Sequence, residues 1–308
     1  MVKVFIDGKE GTTGLKIYER LGDRKDISLL LLPEEKRKDR AARREMINAA
    51  DVVFLCLPDA AAIEAVSLCD NDRVTIIDAS TAHRTDPDWA YGFPELSETH
   101  RKKIAQSRRI AVPGCHASGF ISLVYPMIAG GILPPDYPFV CHSVTGYSGG
   151  GKKMIAEYEN AARSPELDSP RQYGLSQKHK HLPEMTKVCG LLYPPVFNPI
   201  VSDYYSGMCV TVPIHTRLLA KKMGVEQLKS YFAEYYARQN FIKVLDEVSA
   251  YLAANPLAGT NQMQICVDGN DERIVLASVF DNLGKGASGA AVQCMNISLG
   301  LDERTSLE

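Results

Sequence analysis

The chain has 308 residues, roughly twice the length of a common single domain, so it has room for two cores and excludes a peptide or a disulfide-stapled miniature scaffold. Hydrophobic residues make up 45% and charged residues 23%, the balance of a globular protein and not of a disordered or fibrous one. With 35 basic against 37 acidic residues the net charge is −2, without the cationic excess of a nucleic-acid binder, and 8 cysteines with no Cys-x-x-Cys pair give neither a disulfide framework nor a zinc site.

The N-terminus opens on Val2-Lys3-Val4-Phe5-Ile6 with no secretory-signal pattern, which predicts a cytoplasmic protein with mostly buried, reduced thiols. Strands are predicted at residues 3–7, 27–32, 52–57, 74–78 and 109–112, and helices between them at 13–21, 36–49 and 60–69. That alternation is the signature of βαβ units and a doubly wound parallel sheet. The uncharged run 110–135 is cut by Pro113, Gly114, Pro126, Gly130, Gly131 and Pro134 into pieces shorter than the ~20 residues of a membrane span. It reads as a buried strand, a turn and a buried helix beginning near Ser118, and no membrane partner is expected. After Gly114, connections rich in Pro, Tyr and Gly separate strands at 139–143, 208–214, 262–268 and 273–279, which fits a mainly antiparallel sheet with helices on one face. Leu228, Tyr231, Phe232 and Tyr235 give the helix 225–238 a core face, and the nearly uncharged helix 289–301 is predicted to be buried.

Directly after the first strand, Gly8-Lys9-Glu10-Gly11-Thr12-Thr13-Gly14 leads into a helix. Glycines there allow a tight turn and close approach of a pyrophosphate to the helix's unpaired N–H groups and positive dipole end. The G-x-x-G-x-x-G spelling departs from G-x-G-x-x-G, and its place after the first strand is what marks it as a dinucleotide turn. Beyond the second strand, where the adenine ribose of a dinucleotide lies, Lys36-Arg37-Lys38-Asp39-Arg40 supplies cations suited to a 2′-phosphate, favouring NADP over NAD; a solvated, mixed-charge helix start is the competing reading.

Seven cysteines lie in or beside apolar runs and read as buried thiols. Cys115 follows Ile110-Ala111-Val112-Pro113-Gly114 and precedes an apolar helix, which places its sulfur where a helix dipole favours thiolate, as a nucleophile requires. Proton transfer at neutral pH favours histidine. His116 is adjacent, but neighbouring side chains diverge; His83, His100, His142 and His215 are isolated; His179-Lys180-His181-Leu182-Pro183-Glu184 brings two histidines and a carboxylate together. A Cys-His-acid relay fits that cluster, and without a further ligand no metal is expected.

The sequence resembles the shorter form of the N-acetyl-γ-glutamyl-phosphate reductases of arginine biosynthesis, within the aspartate-semialdehyde-dehydrogenase-like group, over nearly its whole length. The resemblance rests on Gly8 to Gly14, on Asp78-Ala79-Ser80-Thr81-Ala82-His83-Arg84, Gly92-Phe93-Pro94-Glu95-Leu96, Pro113-Gly114-Cys115-His116-Ala117-Ser118-Gly119 and Gly146-Tyr147-Ser148-Gly149-Gly150-Gly151-Lys152. It continues through the His179 to Glu184 cluster and Asp281-Asn282-Leu283-Gly284-Lys285-Gly286-Ala287-Ser288-Gly289. It implies an α/β fold: a Rossmann-type NADP-binding domain from residues 1–114 and 283–308, interrupted by an α+β catalytic and dimerisation domain at 115–282, in a homodimer or homotetramer. It implies Cys115 as nucleophile, His179 or His181 with Glu184 as acid/base, and Gly8, Gly11, Thr12, Thr13, Gly14, Arg37, Ser80, Asn282, Lys285 and Gly286 at the NADP(H) cofactor. Arg84, Ser148, Gly149 and Lys152 are implied to hold a small acyl phosphate substrate. Two departures stand out: longer members have Tyr-Pro-Thr after the cysteine where this chain has His116-Ala117-Ser118, and an arginine where it has Lys152. The first changes the lining beside the thiol, and the second keeps a cation but loses the bidentate fork of a guanidinium. Two other functions compete: a related reductase for aspartyl phosphate or a carrier-linked aminoadipyl phosphate, and a non-catalytic NADP-binding sensor, which would need neither Cys115 nor the histidine cluster.

Overall fold

Short β-branched and leucine-rich runs build the first sheet. The computed structural model describes residues 1–308, and the chain divides into two compact units, Met1–Gly114 with Ala287–Glu308, and Cys115–Gly286. The first unit contains β1 (Val2–Asp7), α1 (Thr12–Leu21), β2 (Ile27–Leu30), α2 (Arg40–Ala49), β3 (Val52–Leu55), α3 (Asp59–Ser67), β4 (Thr75–Asp78), β5 (Ala90–Tyr91), α4 (Glu98–Gln106) and β6 (Arg109–Ala111). Its strands pair in parallel throughout, in the order β2-β1-β3-β4-β6-β5. Every residue of β3 and β4 is buried, as expected of parallel strands covered on both faces, so their sequences run apolar without alternating. Phe5, Ile47, Val53, Leu55, Ala65 and Ile76 share one core.

Arg43 of α2 is buried and grips the end of β1: its Nε donates to Asp7 Oδ2 at 3.0 Å, and its Nη1 donates to Glu64 Oε2 at 3.0 Å. Burial raises the Asp7 carboxyl above the usual carboxylate range, with Arg43 pulling the other way. The helix predicted from residue 36 starts at Arg40, because Asp39 caps it by accepting from the Ala42 N–H.

The second unit contains α5 (Cys115–Ala129), β7 (Val140–Gly146), α6 (Gly151–Tyr158), β8 (Arg171–Gln172), α7 (Leu182–Cys189), β9 (Val196–Ser202), β10 (Met208–His215), α8 (Val225–Tyr236), β11 (Ile242–Val244), β12 (Met263–Gly269) and β13 (Arg273–Phe280). The sheet order is β11-β12-β13-β10-β7-β9-β8. Antiparallel pairing dominates, but β9 runs parallel to β7 and β11 parallel to β12, so the sheet is mixed. A π-helical turn, Gly284–Ser288, then leads into α9 (Gly289–Ser298), which packs within the first unit on α4, β4 and α1. The unit boundary falls between Gly286 and Ala287, later than residue 283, because the turn still packs in the second unit: there is no room for a side chain at Gly284 against the Thr260 carbonyl.

The apolar helix α5 begins at Cys115 itself, ahead of Ser118. It lies against β10 and β13 through Gly119, where a Cβ would collide with Val210 Cγ2 and stand 3.0 Å from Phe280 Cε1. Pro126 sits inside the helix and cannot donate to the Ser122 carbonyl; the Tyr236 hydroxyl of α8 donates to it instead at 2.7 Å. Gly119→Ala therefore forces the helix off the sheet and is expected to destabilise by about 1–3 kcal/mol, read as a lower urea midpoint with an unchanged slope. No helix is long and apolar enough to cross a membrane.

Candidate active site

In the first unit the glycine turn has the geometry a pyrophosphate needs. Gly8 has φ +87°, and a Cβ on it would collide with the Cys56 carbonyl; a Cβ on Gly14 would stand 2.9 Å from Lys9 Cα. Gly11 is the N-cap of α1 and offers no side-chain acceptor, so the helix's first N–H groups remain for a ligand, with Thr12 and Thr13 in the first turn. A cavity of about 640 Å³ adjoins this turn, lined among others by Gly8, Gly11, Leu31, Pro33, Arg37 and Lys38. Glycine turn, open helix end and cationic rim fit a nicotinamide dinucleotide. Arg37 is half exposed and paired to Glu34 Oε1 at 3.1 Å.

The segment after β4 is tied down by its own side chains. Ser80 Oγ donates to Asp78 Oδ2 at 2.7 Å, and His83 Nδ1 meets the same oxygen at 2.7 Å while stacking on Trp89 with centroids 4.0 Å apart. Arg84 is buried, its Nε donating to the Val112 carbonyl at 2.9 Å and its Nη2 to the Ala79 carbonyl at 3.0 Å. Its Nε thus ties to the backbone just before Cys115, and its Nη2 to the turn after β4.

In the second unit Cys115 is the first residue of α5 and is half-buried. At the first residue of a helix the dipole favours an anion. All 8 cysteines are free thiols, but Cys56, Cys69 and Cys209 are half-buried, not fully buried as their apolar surroundings predicted. Burial pushes the Cys56, Cys141, Cys189 and Cys209 thiols up, and Cys266 up to about 11, which keeps them protonated.

His116 points into a cluster that its adjacency to Cys115 did not foretell. Its ring centroid lies 5.6 Å from those of both His179 and His181, which are 4.7 Å from each other, and 5.3 Å from Phe197. Nδ1 of His116 is 2.6 Å from Ser143 Oγ, and Nε2 is 2.7 Å from the Tyr173 hydroxyl. Desolvation first, and His179 second, push its pKa down to about 3. Burial first, and the nearby Cys115 second, push the Tyr173 hydroxyl up. Ser143 and Tyr173 were missed from sequence, since they lie 27 and 57 residues from His116 and only the folded sheet joins them.

His179 Nδ1 accepts the His181 backbone N–H at 3.2 Å, so the neutral ring carries its proton on Nε2. His181 is buried and is the N-cap residue of α7; Glu184, buried in the first turn, complements the helix dipole.

Asn282 sits in the second unit, its Nδ2 donating to Ser148 Oγ at 3.0 Å and its Oδ1 accepting from the Gly207 N–H at 2.8 Å. Gly149 lies close by: a Cβ there would stand 3.3 Å from Asn282 Nδ2. Lys152 is exposed in the first turn of α6, while Lys285 is buried with its Nζ 5.7 Å from the Phe241 ring centroid. Gly286 backs directly onto the cysteine: a Cβ there would stand 3.0 Å from Cys115 Cβ. Gly286→Ala should therefore displace Cys115 and cost on the order of 10²-fold in kcat without unfolding the chain, as steady-state kinetics beside a thermal melt will show.

A family model described as semialdehyde dehydrogenase, NAD binding domain, matches residues 34–106, and one described as semialdehyde dehydrogenase, dimerisation domain, matches residues 115–282. The chain is 47% identical over 305 residues to an N-acetyl-gamma-glutamyl-phosphate reductase of Burkholderia cenocepacia, covering 96% of this chain and 97% of that one. It is 45% identical over 305 residues to N-acetyl-gamma-glutamyl-phosphate reductase 2 of Pseudomonas putida, covering 96% of each. Among solved structures, aspartate semialdehyde dehydrogenase II of Vibrio cholerae complexed with ASA superposes with a TM-score of 0.72 at 16% identity, over 97% of this chain and 98% of that one. Aspartate semialdehyde dehydrogenase with NADP from Candida albicans gives 0.65 at 14% identity, over 96% and 98%. Those likenesses establish the two-domain fold. On its sequence relatives and both family models, the chain belongs to the N-acetyl-γ-glutamyl-phosphate reductase family of semialdehyde dehydrogenases.

Proposed function

We propose that this chain reduces N-acetyl-L-glutamyl 5-phosphate to N-acetyl-L-glutamate 5-semialdehyde and phosphate with NADPH, through a thioester on Cys115, as a step of arginine biosynthesis. The observation that carries the reading is Cys115 as the opening residue of α5, in the same unit as the His179–His181 pair.

The Cys115 thiolate attacks the acyl carbon, the C–O bond to phosphate breaks, and phosphate leaves. N–H groups of the first turn of α5 stabilise the oxyanion. Gly8, Gly11 and Gly14 would hold the cofactor's pyrophosphate and Arg37 and Lys38 would offer cations to a 2′-phosphate; when bound, the cofactor would supply the hydride. We assign proton transfer to His181 with Glu184. His179, whose Nδ1 is occupied by a backbone N–H, keeps its Nε2 proton and serves as a hydrogen-bond donor, because giving that proton up would leave an imidazolate. His116, with its pKa near 3, stays neutral throughout. Lys152 offers the substrate phosphate a cation; Arg84 acts by bracing the segment before Cys115. The dimerisation-domain match supports a homodimer or homotetramer.

The test is phosphate-dependent reduction of NADP⁺ by N-acetylglutamate semialdehyde, beside aspartate semialdehyde and beside NAD⁺. The expected outcome is turnover with the first aldehyde and NADP⁺, with each alternative at least about tenfold poorer in kcat/KM, a margin of ~1.4 kcal/mol. Preference for aspartate semialdehyde would overturn the substrate, and preference for NAD⁺ the cofactor.

A further inference from the structure

The glycine turn after β1 carries a lysine whose charge no carboxylate takes up. Lys9 follows Gly8 directly, is half-buried, makes no ion pair, and holds its Nζ 4.0 Å from the centroid of the Tyr18 ring on α1. An aromatic face attracts a cation through its quadrupole and leaves the charge intact, whereas Arg37 on the same cavity shares its charge with Glu34 Oε1 at 3.1 Å. Lys9 and Tyr18 both line the cavity of about 640 Å³, together with Leu31, Pro33, Arg37 and Lys38 from the stretch that follows β2, where the adenosine ribose of a dinucleotide lies. The pyrophosphate belongs at the open N-terminal turn of α1, at Thr12 and Thr13. Tyr18 comes six residues after Thr12, roughly 9 Å farther along the helix axis at about 1.5 Å per residue. The ring that holds the Lys9 ammonium therefore draws it away from the pyrophosphate end.

We propose that Lys9 sets the cofactor preference: its ammonium, steadied on the Tyr18 ring, pairs with the 2′-phosphate of NADPH and separates it from NADH, with Tyr18 as the positioning residue. The proposal rests on the reading that NADPH fills this cavity, and adds Lys9 to the cations Arg37 and Lys38 on its lining. An ammonium is a point charge that meets a phosphate without a fixed fork, and NADH, with a hydroxyl at that position, gains nothing from it. Of the acidic groups on the lining, Asp7 is paired with Arg43 and Glu34 with Arg37. That leaves Glu10 against Lys9 and Lys38, a balance that favours an added anion.

The test is the Kd of NADPH and of NADH, by fluorescence titration of the full-length protein, with 2′,5′-ADP and 5′-AMP as ligands that carry the same difference without the nicotinamide. Lys9→Met keeps the carbon stem and loses the charge. It should weaken NADPH and 2′,5′-ADP by about tenfold and hold NADH and 5′-AMP within a factor of about two, which also shows that the fold is kept. Lys9→Arg should retain the preference. Tyr18→Leu should lower it by about threefold by freeing the ammonium, whereas Tyr18→Phe, which keeps the aromatic face, should retain it. A Lys9→Met variant with the wild-type ratio of NADPH to NADH affinity overturns the assignment. So does an equal loss with all the ligands, which would put Lys9 at the pyrophosphate, and equal effects of Tyr18→Leu and Tyr18→Phe would remove Tyr18 from the proposal. A wild-type protein that binds NADH as tightly as NADPH would instead sink the cofactor reading on which the proposal rests.

Discussion

Replacing Cys115 by serine should lower phosphate-dependent NADP⁺ reduction by on the order of 10⁴-fold or more, while NADPH binding followed by fluorescence titration stays within a factor of two or so. The size of the loss follows from chemistry. A serine hydroxyl at this position has no comparable anionic form at neutral pH, and the helix end that favours an anion cannot bridge the gap between thiol and alcohol acidity. The unchanged binding follows from construction: the glycine turn and its cavity belong to the first unit, Cys115 to the second. Five of the other seven cysteines do not substitute, since burial holds them as thiols. Retained turnover in Cys115→Ser would remove the thioester from the mechanism.

The second large effect is on stability. His116 has a folded pKa near 3 against an ordinary 6.5. Above pH 6.5 the ring is neutral in both states and its shift costs nothing. Between pH 6.5 and 3 the unfolded chain takes a proton that the folded chain refuses, so stability falls as pH falls, by about 1.4 kcal/mol per unit and to a total of about 5 kcal/mol. Below pH 3 the contribution is constant. That total rivals the entire stability of many domains, so acid unfolding should begin well above the carboxylate range. Urea unfolding at pH 7 and pH 4.5 measures it: the wild type should lose about 3 kcal/mol more between the two than His116→Gln, in which the titrating group is gone. Equal losses in both proteins would mean that the imidazole is protonated in the folded state.

Much of this architecture was legible because it is local. The runs Val52-Val53-Phe54-Leu55 and Thr75-Ile76-Ile77-Asp78 are buried on both faces, so they announce parallel strands without help from distant residues, and the glycine turn declares itself by following β1. What stayed hidden depends on long-range pairing. β9 joins β7 in parallel across a connection of more than forty residues, and nothing in Val196–Ser202 says which neighbour it takes. The short strand β5 has only two residues, too few for a pattern. The same limit governs the site. Cys115 is singled out in sequence by its helix start and the His179 to Glu184 cluster by its density, whereas His116 is set aside because successive side chains on a helix diverge. On α5 it reaches Ser143 and Tyr173. Asn282 and Ser148, read as ligand contacts, are joined to each other and to Gly207.

The central claim is an acyl-enzyme on Cys115, and the direct measurement is to mix the enzyme with N-acetyl-L-glutamyl 5-phosphate in the absence of NADPH, quench in acid and map the adduct by mass spectrometry. The account predicts an N-acetylglutamyl adduct confined to the Cys115 peptide, formed with release of one phosphate per site and discharged to the aldehyde when NADPH is added. An adduct on another residue, or NADPH-dependent turnover with Cys115 never acylated, would contradict it.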